Sequence, residues 1–209
     1  MIIAFSGIDG SGKTTYAESC VNYFKEKKID CKYRHMVKDS FYNLVLHDFI
    51  GKVSKNAQES IEKGLRDKKN RIRFSLLKSM KKMLLVLNMI YFNLAYGAYK
   101  GNIRKNIVSD RYFYDDIAQM LYLGLASENF IKFYNRFIMK PDIAFFVKVE
   151  PEIAFKRKSE YEKSYFFDKC RIYKDVFMGL PMATCVNKDT KDENFKIINA
   201  KVEECLRQK

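Results

Sequence analysis

Histidine is scarce in this 209-residue chain, where it occurs only as His35 and His47. Cysteine occurs five times, at Cys20, Cys31, Cys170, Cys185 and Cys205, with no Cys-x-x-Cys pair. Two histidines make no obvious metal cluster, and an odd set of widely spaced cysteines supports neither a disulfide framework nor a Cys-rich zinc site. Reduced thiols in a cytoplasmic protein are the expectation. With three prolines and nine glycines there is no Pro- or Gly-rich linker, so 1–209 is expected to be a single domain. No secretory signal is expected either: Met1 to Ser6 is apolar but short, lacks a basic start and runs into a glycine loop. The longest apolar stretch, Met83 to Tyr99, is broken by Asn88, Asn93 and Gly97 and falls short of a membrane span, so no membrane partner is expected.

Acidic residues are outnumbered, 25 against 39 Lys and Arg, which leaves a net charge of +14. The surplus points to an anionic partner without naming it. Residues 51–105 carry fourteen Lys or Arg against three Asp or Glu. Within them Ile72, Leu76, Met80, Met83, Leu84, Leu87, Tyr91, Leu94 and Ala98 recur at three-to-four spacing, which predicts one long helix or two joined end to end. Its apolar half is expected to be buried or to meet another subunit. Apolar residues make up 47% and charged residues 31%, a balance that allows a packed core and excludes wholesale disorder.

The remaining pattern is that of a parallel α/β sheet. Ile2–Ser6, Ile29–His35, Asn106–Asp110, Ile143–Val149 and Ala183–Val186 read as strands. Helices are expected after the glycine loop to near Lys28, over Ile117–Leu125 and Phe130–Met139, from Pro151, and over Phe195–Leu206.

The segment Gly7-Ile8-Asp9-Gly10-Ser11-Gly12-Lys13-Thr14 matches the phosphate-loop pattern of Gly, four residues, Gly, Lys and Ser or Thr. Glycines let the backbone curl and turn its N–H groups inward, and the following helix N-terminus completes an anion nest. Lys13 can reach the β- and γ-phosphates, and the Thr14 hydroxyl can bind Mg²⁺. Asp110-Arg111-Tyr112 sits just past a strand, at the edge where open parallel sheets bind ligands. There Asp110 can orient hydrated Mg²⁺, and Arg111 can clamp a second phosphate bidentately. A third cluster, Lys156-Arg157-Lys158 followed by Lys163, supplies cations that can close over a transferred phosphoryl group.

Together with the run Pro141 to Ala154, these segments resemble the thymidylate kinase family of P-loop nucleoside monophosphate kinases over nearly the whole chain. The resemblance implies a three-layer P-loop kinase fold with a five-stranded parallel sheet flanked by helices, and a homodimer. It also implies γ-phosphoryl transfer from Mg²⁺-bound ATP to a 5′-monophosphate. By it, Gly7, Asp9, Gly10, Ser11, Gly12, Lys13, Thr14 and Thr15 would bind ATP, with Thr14 and Asp110 on the metal. Asp9 would face the acceptor's sugar, Arg111 would hold the acceptor phosphate, and Arg157 would be the catalytic arginine of a short lid near 156–168. The base-reading half departs from the family. No arginine stands near Leu84 to Asn88, and Asp115 and Ala118-Gln119-Met120 occupy the places of Ser and Ala-Tyr-Gln. A different nucleotide, a nucleoside or another small phosphorylated acceptor is therefore an alternative. So is a nucleotide-dependent protein that grips nucleic acid through 51–105, stacking bases on Tyr42, Tyr91 and Phe92, although no stable nucleic-acid partner is expected.

Overall fold

The computed structural model describes residues 1–36, 68–98, 106–122, 124, 126–158, 161–178, 183–186 and 190–208. Five strands, β1 (Ile2–Ser6), β2 (Cys31–His35), β3 (Asn106–Asp110), β4 (Ile143–Val147) and β5 (Ala183–Val186), form one sheet in the order β2-β3-β1-β4-β5. Every pairing is parallel, with Phe5 of β1 opposite Asp110 on one side and Phe145 on the other. β1 is central, and all five of its residues are buried, as a strand covered on both faces requires.

Side-chain alternation along β1 divides the interior into two cores. Ile3 and Phe5 join Val108 and Phe145 against α1 (Lys13–Glu26), where Ala17, Cys20, Val21 and Phe24 repeat at helical spacing. Ile2 and Ala4 face the opposite core. There the chain places α2 (Lys68–Ala98), α3 (Phe113–Tyr122), α4 (Glu128–Phe137) and, beyond the short α5 (Pro151–Arg157), α6 (Lys163–Met178). The last helix, α7 (Lys191–Arg207), sends Ile198 and Val202 into the α1 side. The result is the expected three-layer fold with a five-stranded parallel sheet.

Several element boundaries move from their expected places, each for a local reason. α3 starts at Phe113 rather than Ile117, because Asp115 reaches back and its Oδ2 accepts the Tyr112 N–H at 2.9 Å, the reciprocal half of a capping box. α7 starts at Lys191 rather than Phe195, where the Thr190 hydroxyl accepts from the Glu193 N–H at 3.3 Å. Ser127 caps α4 in the same way and sets its start at Glu128 rather than Phe130. β2 starts at Cys31 rather than Ile29, and β4 stops at Val147, two residues short of Val149.

The periodicity from Ile72 to Ala98 lies on one helix of 31 residues, but among its described side chains much of the predicted stripe faces outward, while Leu85, Val86, Met89 and Phe92 pack into the core. Met80, Met83, Leu87, Ile90, Tyr91 and Leu94 are exposed, and Leu94 most of all at 71%. Asn88, Met89 and Phe92 point inward instead. Phe92 meets the Phe113 ring edge-on at 5.9 Å, so it belongs to the core and not to a base-stacking surface. Tyr42 and the basic run 51–67 lie outside the described residues.

Candidate active site

The site grows from the carboxyl end of β1. Gly7 passes so close to β4 that a Cβ there would lie 2.6 Å from the Val147 carbonyl oxygen. Gly10 and Gly12 take φ of +81° and +91°, in the left-handed region that side chains avoid, and the loop curls. The Ser11 N–H closes the turn on the Ile8 carbonyl at 3.2 Å, and Gly12 leads directly into α1. The curled loop, the first turn of α1, Arg111, Lys148, Arg157 and Lys158 line a cavity of about 680 Å³. Thr14 and Thr15 are exposed to it.

Lys13 folds back over the loop. Its Nζ donates to the Ile8 carbonyl at 3.1 Å and stands 3.6 Å from Asp9 Oδ1. Burial and the nearby Arg111 charge lower its pKa, against the pull of Asp115, Asp9 and Asp110. Asp9 is the meeting point of the site. Its Oδ1 accepts from Arg111 Nη2 at 2.7 Å, and its Oδ2 accepts from the Tyr165 hydroxyl at 3.0 Å. Burial resists the Asp9 charge, but Lys13, Arg111 and these two hydrogen bonds outweigh it and hold the carboxyl down at about 2.

Arg111 is itself in the left-handed region, at φ +70°. Its N–H donates to the Phe5 carbonyl at 2.9 Å and its carbonyl accepts from the Ser109 hydroxyl at 2.8 Å, so the sheet edge enforces the unusual backbone. Burial opposes the guanidinium charge, yet Asp115 and Asp9 keep its pKa above the ordinary arginine value. Arg157, on the last turn of α5, donates from Nη1 to the Gly10 carbonyl at 3.0 Å. Asp9, Lys13, Thr14, Arg111 and Arg157, singled out in the sequence, thus share one cavity.

Asp110 stands apart from them. It is fully buried and is not among the residues that line the cavity, its Oδ2 accepts from the Tyr33 hydroxyl at 3.0 Å, and its Oδ1 has no partner among the described residues. Ser11 Oγ is likewise buried without a partner at the loop's inner surface. The curled glycines, the unpartnered Ser11 hydroxyl, the buried ammonium of Lys13 and the open Thr14 hydroxyl are the donor set that a Mg²⁺-bound polyphosphate needs.

Three further residues bear on the site, with little signal for them in the sequence. Asp115 was visible only as a departure from the family. It accepts from the Ser6 hydroxyl at 2.6 Å and from the Tyr173 hydroxyl at 2.7 Å, which ties β1, α3 and α6 together. Tyr165 and Lys169 lie on α6, where nothing in the helical spacing separates them from ordinary buried positions. Among the other basic candidates, Lys158 lines the cavity and Lys163 packs over the Phe167 ring.

The thymidylate kinase family matches residues 38–208. A protein of Methanocaldococcus jannaschii named a probable thymidylate kinase is 31% identical over 81% of this chain and 77% of its own length. The thymidylate kinase of Leptospira interrogans serogroup Icterohaemorrhagiae serovar copenhageni is 26% identical over 99% of this chain and 92% of its own. A third relative, the thymidylate kinase of Wolbachia pipientis, is 30% identical over 82% of this chain and 78% of its own. With a phosphate loop and Asp110-Arg111-Tyr112 set side by side on one parallel sheet, the chain belongs to the thymidylate kinase family, a family of nucleoside monophosphate kinases.

Proposed function

We propose that the protein transfers the γ-phosphoryl group of ATP to the phosphate of thymidylate, the nucleotide for which its relatives are named. One observation carries the proposal. Lys13 and Arg111 both reach Asp9 Oδ1, at 3.6 and 2.7 Å. The cation of the donor's phosphate nest and the cation assigned to the acceptor's phosphate therefore stand at one point of one cavity. Phosphoryl transfer needs donor and acceptor oxygens aligned and the spreading negative charge met by fixed donors, with little covalent chemistry from the protein.

In this account the amides of Gly7 to Thr14, with Thr15, hold the polyphosphate, and Lys13 leaves the Ile8 carbonyl to neutralise the β,γ-oxygens. Thr14, with Asp110 behind it, would hold Mg²⁺, which when bound supplies further neutralisation of the donor phosphates. Arg111 holds the acceptor phosphate in line, and Asp9, which fixes Arg111, faces the acceptor's sugar. Arg157, in a lid of residues 156–168, adds charge over the transferred group when the lid closes. The exposed apolar stripe of α2 supports a homodimer, since a monomer rarely leaves so continuous a patch in water. No helix among the described residues is long and apolar enough to cross a membrane.

The test is ADP release with ATP and the four deoxy- and four ribonucleoside monophosphates. Thymidylate is expected to give the highest kcat/KM, and Lys13→Ala to lower it about a thousandfold. Turnover confined to another nucleotide would keep the reaction and overturn the base assignment. The missing arginine at Leu84–Asn88 and the Gln119 substitution make that the outcome to watch.

A further inference from the structure

Lys169 is a buried cation that the account above leaves unused. It sits on the inner face of α6, 3% exposed, and its Nζ donates to Gln119 Oε1 on α3. The rings of Tyr122, Tyr165 and Tyr173 enclose the ammonium at 5.3, 5.6 and 6.0 Å from their centroids. An ammonium withdrawn from water is costly unless charge or dipoles surround it, and aromatic faces supply part of that compensation. Two of the three rings have a second task. The Tyr165 hydroxyl donates to Asp9 Oδ2, and the Tyr173 hydroxyl donates to Asp115 Oδ1. Asp9 in turn holds Arg111, and Asp115 holds the Tyr112 amide next to it.

We propose that Lys169 is a positioning residue for the acceptor phosphate: by holding Gln119 and the Tyr165 and Tyr173 rings in one arrangement, it fixes the Asp9 carboxylate that aims Arg111. The inference rests on the assignment of Arg111 to the acceptor and deepens it. The groups whose fields reach the ammonium are Asp9 from the phosphate loop, Lys13 from α1, Arg111 from the sheet edge, and Asp115 and Asp116 from α3. Gln119 and Tyr122 also face it from α3, and Tyr165 and Tyr173 from α6 itself. Burial, with Arg111 and Lys13, outweighs the two carboxylates Asp9 and Asp115 and brings its pKa down to about 8. Raising the pH through that value removes the charge that the rings and Gln119 hold, and Arg111 loses its support.

The experiment is steady-state kinetics with ATP and thymidylate for the wild type, K169R and K169Q from pH 7 to 9.5, with melting temperatures recorded. In the wild type kcat/KM for thymidylate is expected to fall about tenfold between pH 8 and 9.5, with ATP KM steady within about twofold. K169R retains most of the activity and loses the alkaline fall, because arginine does not titrate there. K169Q has a thymidylate KM raised about tenfold already at pH 7.5. A level wild-type profile, an alkaline fall that persists in K169R, or a K169Q thymidylate KM within about twofold of wild type each overturns the inference. The wild-type profile needs no substitution, so it decides the matter even where K169Q folds poorly. A wild type that phosphorylates no monophosphate overturns the Arg111 assignment instead, and the inference with it.

Discussion

Asp9 binds Arg111 through one oxygen and Tyr165 through the other, so each neighbouring charge constrains the rest. Lys13 is stabilised by Asp9 but destabilised by burial and by Arg111. Lys13→Met is therefore expected to abolish measurable turnover while leaving the melting temperature unchanged or raised, a separation that thermal denaturation beside the kinetic assay will show. Asp116 has the opposite problem. Burial and the Asp115 charge raise its carboxyl from 3.8 to about 7, against a 3.4 Å hydrogen bond from the Tyr134 hydroxyl. Its folded pKa lies above its unfolded value, so the folded state binds the extra proton between those limits. The stabilisation is full below pH 3.8 and lost as pH rises through about 7. Asp116→Asn is expected to flatten the stability profile between pH 4 and 7 and to raise the melting temperature at pH 8 by about 2–4 °C. An unchanged profile in urea titrations across that range would refute the burial argument for this carboxyl.

At the scale of elements, α5 and the phosphate loop form one unit. A Cβ at Gly10 would lie 3.0 Å from the Ala154 carbonyl oxygen and 3.3 Å from its Cα, on a backbone already at φ +81°. Gly10→Ala must displace α5 and break the Arg157–Gly10 hydrogen bond, so the ATP Kd is expected to rise about tenfold, measurable by calorimetric titration of ATP. The same elements show what the sequence could reveal. β1, β3 and β5 were legible because a short apolar run between turn signals has few other uses. The phosphate loop was legible because its spacing serves one mechanism. α3 was misplaced by four residues, because its start depends on Asp115 reaching back to Tyr112, a tertiary choice also secured by Ser6 and Tyr173. Tyr165 and Lys169 were not legible, because their roles arise only when α6 packs beside α3 and the phosphate loop. The long helix was read correctly as a helix whose apolar half is buried or meets another subunit; in the single chain much of that stripe is exposed, so the second of the two readings stands as a proposal. Periodicity shows that an apolar stripe exists but not what covers it.

For the whole molecule, that stripe is the apolar surface that the described residues leave facing outward, on a chain of net charge +14. If α2 joins two copies, Leu94→Arg places a charge in the middle of the interface and is expected to turn a dimer into a monomer in sedimentation-velocity experiments, with the melting temperature lowered. A monomeric wild type at micromolar concentration would remove the dimer from the account. The central claim, that one cavity holds a donor triphosphate and aims it at an acceptor phosphate anchored by Arg111, is reached most directly by ³¹P NMR of the protein with ATP, Mg²⁺ and thymidylate. The account predicts that the thymidylate signal is replaced by the paired signals of a nucleoside diphosphate in step with ADP, and that Arg111→Ala slows this about a hundredfold while ATP binding persists. Inorganic phosphate released with thymidylate untouched, or an Arg111→Ala protein as fast as the wild type, would contradict it.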